Sequence, residues 1–157
     1  TKKLGLESYD APLVNEMLQL MFHTKVDYTI FFRKLSRIPK KHKDLKDSFY
    51  RPISEEIETK WISWLQRWRE HVINKGDQNK ISAKMKRINP KYTWREWLIT
   101  PAYEMAEKGD YGLINELQAV LDKPYEEQSL KIQKKYDRLK PKQFFGAGGI
   151  SHYSCSS

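Results

Sequence analysis

Apolar residues recur along this chain at helical spacing, with polar and charged residues between them. Leu13, Met17, Leu20 and Met21 fall at i, i+4, i+7 and i+8, one face of an amphipathic helix. Asp10 is placed to cap that helix, and Pro12 is tolerated in a first turn, where an amide has no helical partner to lose. A second helix is predicted from Asp27, with Tyr28, Phe31, Phe32, Leu35 and Ile38 as its stripe and Pro39 as its stop. Together the two make a helical hairpin. Ser54 caps a long third helix whose Glu55, Glu56 and Glu58 suit the positive end of the helix dipole. Ile57, Trp61, Trp64, Leu65, Trp68 and Val72 share one face of it, and Gly76 is the predicted terminator.

Between these elements, residues 39–53 have no period. Pro39-Lys40-Lys41-His42-Lys43-Asp44 is lysine-rich and Pro52 closes it, which predicts a surface connection. Further on, Ile81, Met85 and Ile88 mark a shorter helix before Asn89-Pro90. Thr93 and Glu96 form a T-x-x-E capping box, with Tyr92 and Trp97 placed as its hydrophobic staple. Pro101 is expected to interrupt the helix that follows, or to open a continuation capped by Thr100. Gly109 stops it, Asp110 caps the next, and Leu113, Ile114, Leu117, Val120 and Leu121 are the buried face of that helix. Beyond Pro124 the pattern weakens to one lone polar helix over 126–138, and from Pro141 the chain reads as a tail containing Gly146-Ala147-Gly148-Gly149. The fold class is therefore all-α, a multi-helix piece with a flexible, Gly-rich terminal tail. Its predicted organisation is a hairpin over 1–38, a connection over 39–53, a helical core over 54–123 and an extended or partly helical tail over 124–157.

Composition narrows the class. Of 157 residues, 39% are hydrophobic and 31% charged, too apolar and aromatic for a disordered chain. No run approaches a membrane span. Thr1-Lys2-Lys3-Leu4-Gly5 lacks the apolar core of a signal peptide, and without an initiator Met the chain reads as cut from a longer protein. One cysteine, Cys155, excludes a disulfide framework and points to a reducing compartment. The net charge of +9 suits a soluble surface or a face that docks on an acidic partner domain. It also keeps open a different class of function, a basic helical module that binds nucleic acid or another polyanion.

Catalytic patterns are sought and not found. His23, His42, His71 and His152 are scattered, and none pairs with another at metal-ligand spacing. Cys155 has His152 nearby, but on its own it reads as an ordinary exposed thiol. The glycines at 146–149 are followed by neither Lys-Ser/Thr nor a helix, so they are no phosphate loop. Trp61, Trp64 and Trp68 could stack bases, yet their shared face with Ile57 and Leu65 predicts burial. Lys80, Lys84, Arg87 and Lys91 form a basic stripe at helical spacing, read as a solvated face. Glu126 and Glu127 are neighbours in sequence and do not face each other on a helix, so they are a poor acid/base pair.

An ordered set of segments carries a resemblance. Asn89-Pro90-Lys91-Tyr92 leads to Ala106-Glu107-Lys108-Gly109-Asp110, then to Leu121-Asp122-Lys123-Pro124-Tyr125-Glu126-Glu127-Gln128, and the chain closes on Ser154-Cys155-Ser156-Ser157. Upstream, Lys3-Leu4-Gly5-Leu6, Asp27-Tyr28-Thr29 and Phe32-Arg33 fit the same pattern. This set resembles the C-terminal region of the selenoprotein O family. The resemblance implies a parent with a kinase-like fold that transfers AMP from ATP to protein hydroxyls, using Mg2+ or Mn2+. The catalytic and metal-binding residues of that family lie in the kinase-like core, and no segment here matches its nucleotide-handling motifs. The implied role of this chain is non-catalytic, structural and regulatory, with no catalytic, cofactor-binding or metal residue of its own. Cys155 matches the position of the family's terminal selenocysteine, which implies a redox switch pairing with a cysteine of the core. The implied partners are the chain's own kinase-like core, through a helical face and Cys155, and the parent's protein substrates; a membrane is not expected, and nucleic acid is the less favoured partner. The implied location is intracellular: the mitochondrion in a eukaryote, the cytoplasm in a bacterium. Thr100-Pro101 and the lysine-rich 39–53 stretch depart from the family pattern.

Overall fold

The computed structural model of the chain describes residues 1–74 and 76–146. Seven α-helices and three short 3-10 helices form among them, with no β-strand. The chain divides into two compact units, Thr1–Pro90 and Lys91–Ser157. This division differs from the one expected at 38/39, 53/54 and 123/124, because contacts follow shared burial rather than changes in composition.

In the first unit, helix α1 spans Ala11–Thr24 and α2 spans Tyr28–Leu35. Each starts where a side chain replaces a missing helical acceptor. The Asp10 carboxylate accepts from the Leu13 amide at 2.9 Å, and that of Asp27 from the Ile30 amide at 3.0 Å. Leu13, Met17, Leu20 and Met21 are buried as predicted. Helix α2 stops short of the predicted Ile38. The residue before a proline is disfavoured in the helical region, and Ile38 takes a left-handed φ of 51° instead. Ahead of it, the Ser36 hydroxyl donates back to the Phe32 carbonyl at 2.7 Å.

Helix α3, Glu55–Ile73, is capped by Ser54 and buries Trp61, Trp64 and Trp68 completely. Two of these indoles are also tied by hydrogen bonds. Trp64 Nε1 donates to the Leu13 carbonyl and Trp68 Nε1 to the Leu4 carbonyl, both at 2.9 Å. Helix α3 ends before Gly76, which takes a φ of 140° in the turn ahead of α4, Gln78–Ile88. The 39–53 stretch is not the periodless surface connection expected. It carries a 3-10 helix, His42–Ser48, with Leu45 fully buried, and Phe49 stacks on Trp61 with ring centroids 5.4 Å apart. Leu45 and Phe49 stand four apart, so the same short segment buries both while Lys41, Lys43 and Asp47 face water.

In the second unit, α5 spans Glu96–Glu107, α6 Gly112–Leu121 and α7 Leu130–Tyr136. The expected capping box does not form. Helix α5 starts at Glu96 after an extended Arg95, which makes no side-chain cap bond. Tertiary contacts hold that entry: the Arg95 guanidinium reaches the Arg138 carbonyl, and the Arg138 guanidinium lies over the Trp97 ring. Pro101 does not interrupt α5 either. Buried Trp97, Ile99 and Ala102 hold the helix on both sides of it. Gly109, at φ 84°, ends α5 as predicted, and the Asp110 carboxylate accepts from the Gly112 amide at 2.9 Å. Residues 124–146 are not a tail. Ser129 caps α7, and Tyr136 is buried in one cluster with Tyr92, Ile99, Ala102, Leu117 and Val120. The lone polar helix expected over 126–138 is thus shorter and docked.

Candidate functional site

Several motif residues are tied into buried or half-buried side-chain hydrogen bonds. In the first unit, Asn89 is fully buried, and its Nδ2 donates to the Lys3 carbonyl at 2.8 Å and to Ser36 Oγ at 2.9 Å. Arg33, also buried, donates from one guanidinium nitrogen to the Lys86 carbonyl at 3.0 Å and the Asn89 carbonyl at 3.1 Å. A cation at the C-terminal end of α4 meets both the unpaired carbonyls and the negative end of the dipole. Lys3 lies over the rings of Tyr28 and Phe32, with Nζ 5.5 and 5.6 Å from the centroids. Gly5 sits at φ 67°, and a Cβ there would stand 2.7 Å from Met85 Sδ. Asp27 receives the Tyr50 hydroxyl at 3.0 Å besides capping α2. Four segments distant in sequence thus close one knot of backbone carbonyls and buried donors.

The second unit has its own clasp. The Lys91 and Tyr92 amides both donate to the Pro124 carbonyl, at 2.7 and 3.2 Å. Lys91 has no exposed side-chain surface, and its ammonium reaches Glu127 at 2.6 Å, Gln133 Oε1 at 2.8 Å and Asp137 at 3.5 Å. The Tyr92 hydroxyl donates to the Glu127 carbonyl at 2.7 Å, and Gln128 Nε2 donates to the carbonyls of Val120 and Lys123. The Asn-Pro-Lys-Tyr and Leu-Asp-Lys-Pro-Tyr-Glu-Glu-Gln segments, read as separate signatures, therefore meet through Lys91, Tyr92, Pro124 and Glu127. Nearby, Glu116 accepts from both Lys135 and the Tyr136 hydroxyl. The hydrogen bond from Lys135, with that from Tyr136, holds the Glu116 carboxyl below its ordinary range. Burial, reinforced by the hydrogen bond to Glu116, pushes the Tyr136 phenol well above its own.

The carboxylates are matched to cations or amides, and among the described residues no three His, Cys, Asp or Glu side chains converge as a metal ion would need. His23 is exposed, His71 stands 3.4 Å from Asp10, and His42 is buried with Nε2 2.5 Å from Glu58. Lys80, Lys84 and Arg87 are exposed, but Lys91 is not, so the basic stripe loses its last member to the clasp. Its place between a proline and a core tyrosine was the available signal for burial. Cys155 and His152 lie outside the described residues. Arg33 and Asn89 were not singled out as structural keys, because a buried polar side chain has no period to betray it.

Comparison with known proteins agrees with the motif reading. The family model described as Protein adenylyltransferase SelO matches residues 1–122. A protein nucleotidyltransferase YdiU of Methylobacillus flagellatus is 34% identical over 151 residues, covering 93% of this chain and 29% of that relative. The Tolumonas auensis YdiU is 34% identical over 163 residues, covering 99% and 31%. That of Stutzerimonas stutzeri is 38% identical over 132 residues, covering 81% and 26%. The chain spans less than a third of the length of these relatives. Matched over most of its length by the family model, and over nearly all of it by the relatives, this chain belongs to the SelO family.

Proposed function

We propose that this chain is the non-catalytic C-terminal structural and regulatory part of a protein adenylyltransferase. In this reading AMP passes from ATP, with Mg2+ or Mn2+, to hydroxyls of protein substrates on a kinase-like core outside the chain. The observation that carries it is the use made of the motif residues. Arg33, Asn89, Lys91 and Glu127 all serve to close helical units. The chain's partner would be that core, reached through a helical face and through Cys155 as a redox switch. Among the described residues no helix is long and apolar enough to cross a membrane, and the relatives named above are bacterial. The cytoplasm is accordingly the proposed location for a bacterial source. The polyanion-binding alternative loses two supports, since the Trp61–Trp68 face and Lys91 are buried.

The test uses the full-length protein that carries this chain. Labelled ATP and divalent metal should give AMP incorporation into protein with the full-length form and none with residues 1–157 alone. After mild oxidation, mass spectrometry without reductant should find Cys155 linked to a core cysteine, and Cys155→Ser should abolish the redox response of AMP transfer. Labelling by the purified fragment would overturn the non-catalytic reading. An unchanged redox response in Cys155→Ser would overturn the switch alone.

A further inference from the structure

One face of the first unit is not engaged by the knot at Asn89. An open groove of about 640 Å3 runs between the start of the His42–Ser48 turn and the outer side of α3, within the ~300–1,000 Å3 usual for ligand sites. Leu65 forms its floor, with Ile62 and Ile73 on its walls, and Ile62 is 46% exposed. Lys40, Lys41 and Lys43 line one side, against the single carboxylate of Glu70 on the other.

Two features make this more than a lysine-rich surface. The first is a contrast inside the unit. Lys34, Lys46 and Lys60 pair with Asp47, Glu58 and Glu56, whereas Lys40, Lys41 and Lys43 have no ion-pair partner among the described residues. The second is preorganisation. Arg69, in the groove wall, donates to the carbonyls of Ile38 and Pro39 at 2.7 and 2.8 Å. Ile38 presents its carbonyl from a left-handed φ of 51°, an uncommon and strained state for a β-branched residue. Buried His42 and Leu45 fix the other end of the lysine segment. The rim cations thus project from an anchored turn, beside a guanidinium whose position is already set.

We propose that this groove binds an acidic, aliphatic-bearing segment of a partner protein. Apolar floor and unpaired cationic rim together select a ligand that alternates carboxylates with aliphatic side chains. The wall from Ile62 to Ile73 is about 16 Å long at 1.5 Å per residue, which an extended peptide of about five residues covers. A nucleic acid fits less well, because the groove offers no exposed aromatic face on which bases could stack. The proposal is independent of AMP transfer and is read without ATP.

The experiment uses the full-length protein that carries this chain and a fluorescein-labelled peptide alternating Glu and Leu, about six residues long, followed by anisotropy at low salt. Saturable binding is expected, together with shifts of the Ile62 and Ile73 methyl resonances. Lys41→Glu combined with Lys43→Glu should weaken it about tenfold or more, and Ile62→Ser should weaken it while leaving the melting temperature in place. A peptide alternating Lys and Leu should not bind. Absence of saturation would overturn the proposal. So would binding indifferent to both variants, or full displacement by oligothymidylate or by dodecanoate, which would reassign the groove to a polyanion or a small amphiphile. If residues 1–157 bind the peptide and the full-length protein does not, the groove is covered within the parent and the partner-protein reading fails.

Discussion

The two units solve the same packing problem with different means. The first has an aromatic interior: Phe31, Phe32, Phe49 and the three α3 indoles are linked ring to ring in one series, and its buried hydroxyl and amide groups bond mainly to backbone carbonyls. The second has a small apolar cluster of Ile99, Ala102, Leu117 and Val120, closed by two tyrosines and, through the Lys91 clasp, by an ion-paired lysine. Where apolar area is scarce, charge-assisted hydrogen bonds carry more of the load. Packing of the first kind responds to volume, and closure of the second kind responds to charge and pH.

The largest expected effect tests the first half of that contrast. Trp64→Ala removes a fully buried indole and its bond to Leu13, and should cost the first unit about 3–5 kcal/mol. Urea unfolding with amide exchange should show the loss in 1–90 and leave protection in 91–146 unchanged. The clasp is tested by an asymmetry. Glu127→Ala leaves a buried ammonium short of its closest partner and should cost the second unit about 1–3 kcal/mol. Lys91→Met removes the buried charge while Glu127 turns to water, and should cost less. Equal losses would mean that the lysine stem, not its charge, closes the unit.

Gly5→Ala should cost the first unit about 1–2 kcal/mol, because a Cβ would meet Met85 in a backbone state that disfavours one. Thermal melting suffices to check it.

The smallest effects are those of pH. Glu116 is depressed in the folded unit, so below its ordinary value of 4.5 the unfolded chain takes up the proton first and stability falls with falling pH. Tyr136 is raised, so above 10.0 the unfolded chain ionises first and stability falls with rising pH. Glu116→Gln should flatten the acid limb and Tyr136→Phe the alkaline one, both read by amide exchange in the second unit. If the alkaline limb persists in Tyr136→Phe, its origin lies outside the Tyr136–Glu116 pair.

The same contrast governs what the sequence made legible. The α1 and α3 stripes, with their Asp10 and Ser54 caps, were readable because helical burial has a period and a cap has a local partner. Leu45 and Phe49 were missed because two apolar residues amid lysines are too few to show one. The Thr93–Glu96 box failed where contacts from Arg95 and Arg138, far apart in sequence, set the backbone instead. Lys91 looked solvated because its partners, Glu127 and Gln133, lie beyond the reach of any local pattern. The motifs carried family membership without revealing that they were fasteners, since a hydrogen-bond partner is a property of the fold and not of a tetrapeptide.

The α3 indoles have an optical consequence. Trp64 and Trp68 lie nearly parallel, 9° apart with centroids at 6.0 Å, and Trp61 stands edge-on to Trp64 at 5.7 Å. Chromophores this close share excitation, so they should produce a coupled near-ultraviolet dichroism band and blue-shifted, depolarised emission. Trp94, in the second unit, is 66% exposed and should emit to the red. The red edge of the unmodified protein's emission therefore reports on Trp94 and the second unit, while the blue edge combines the α3 indoles with Trp97, which is buried in the second unit.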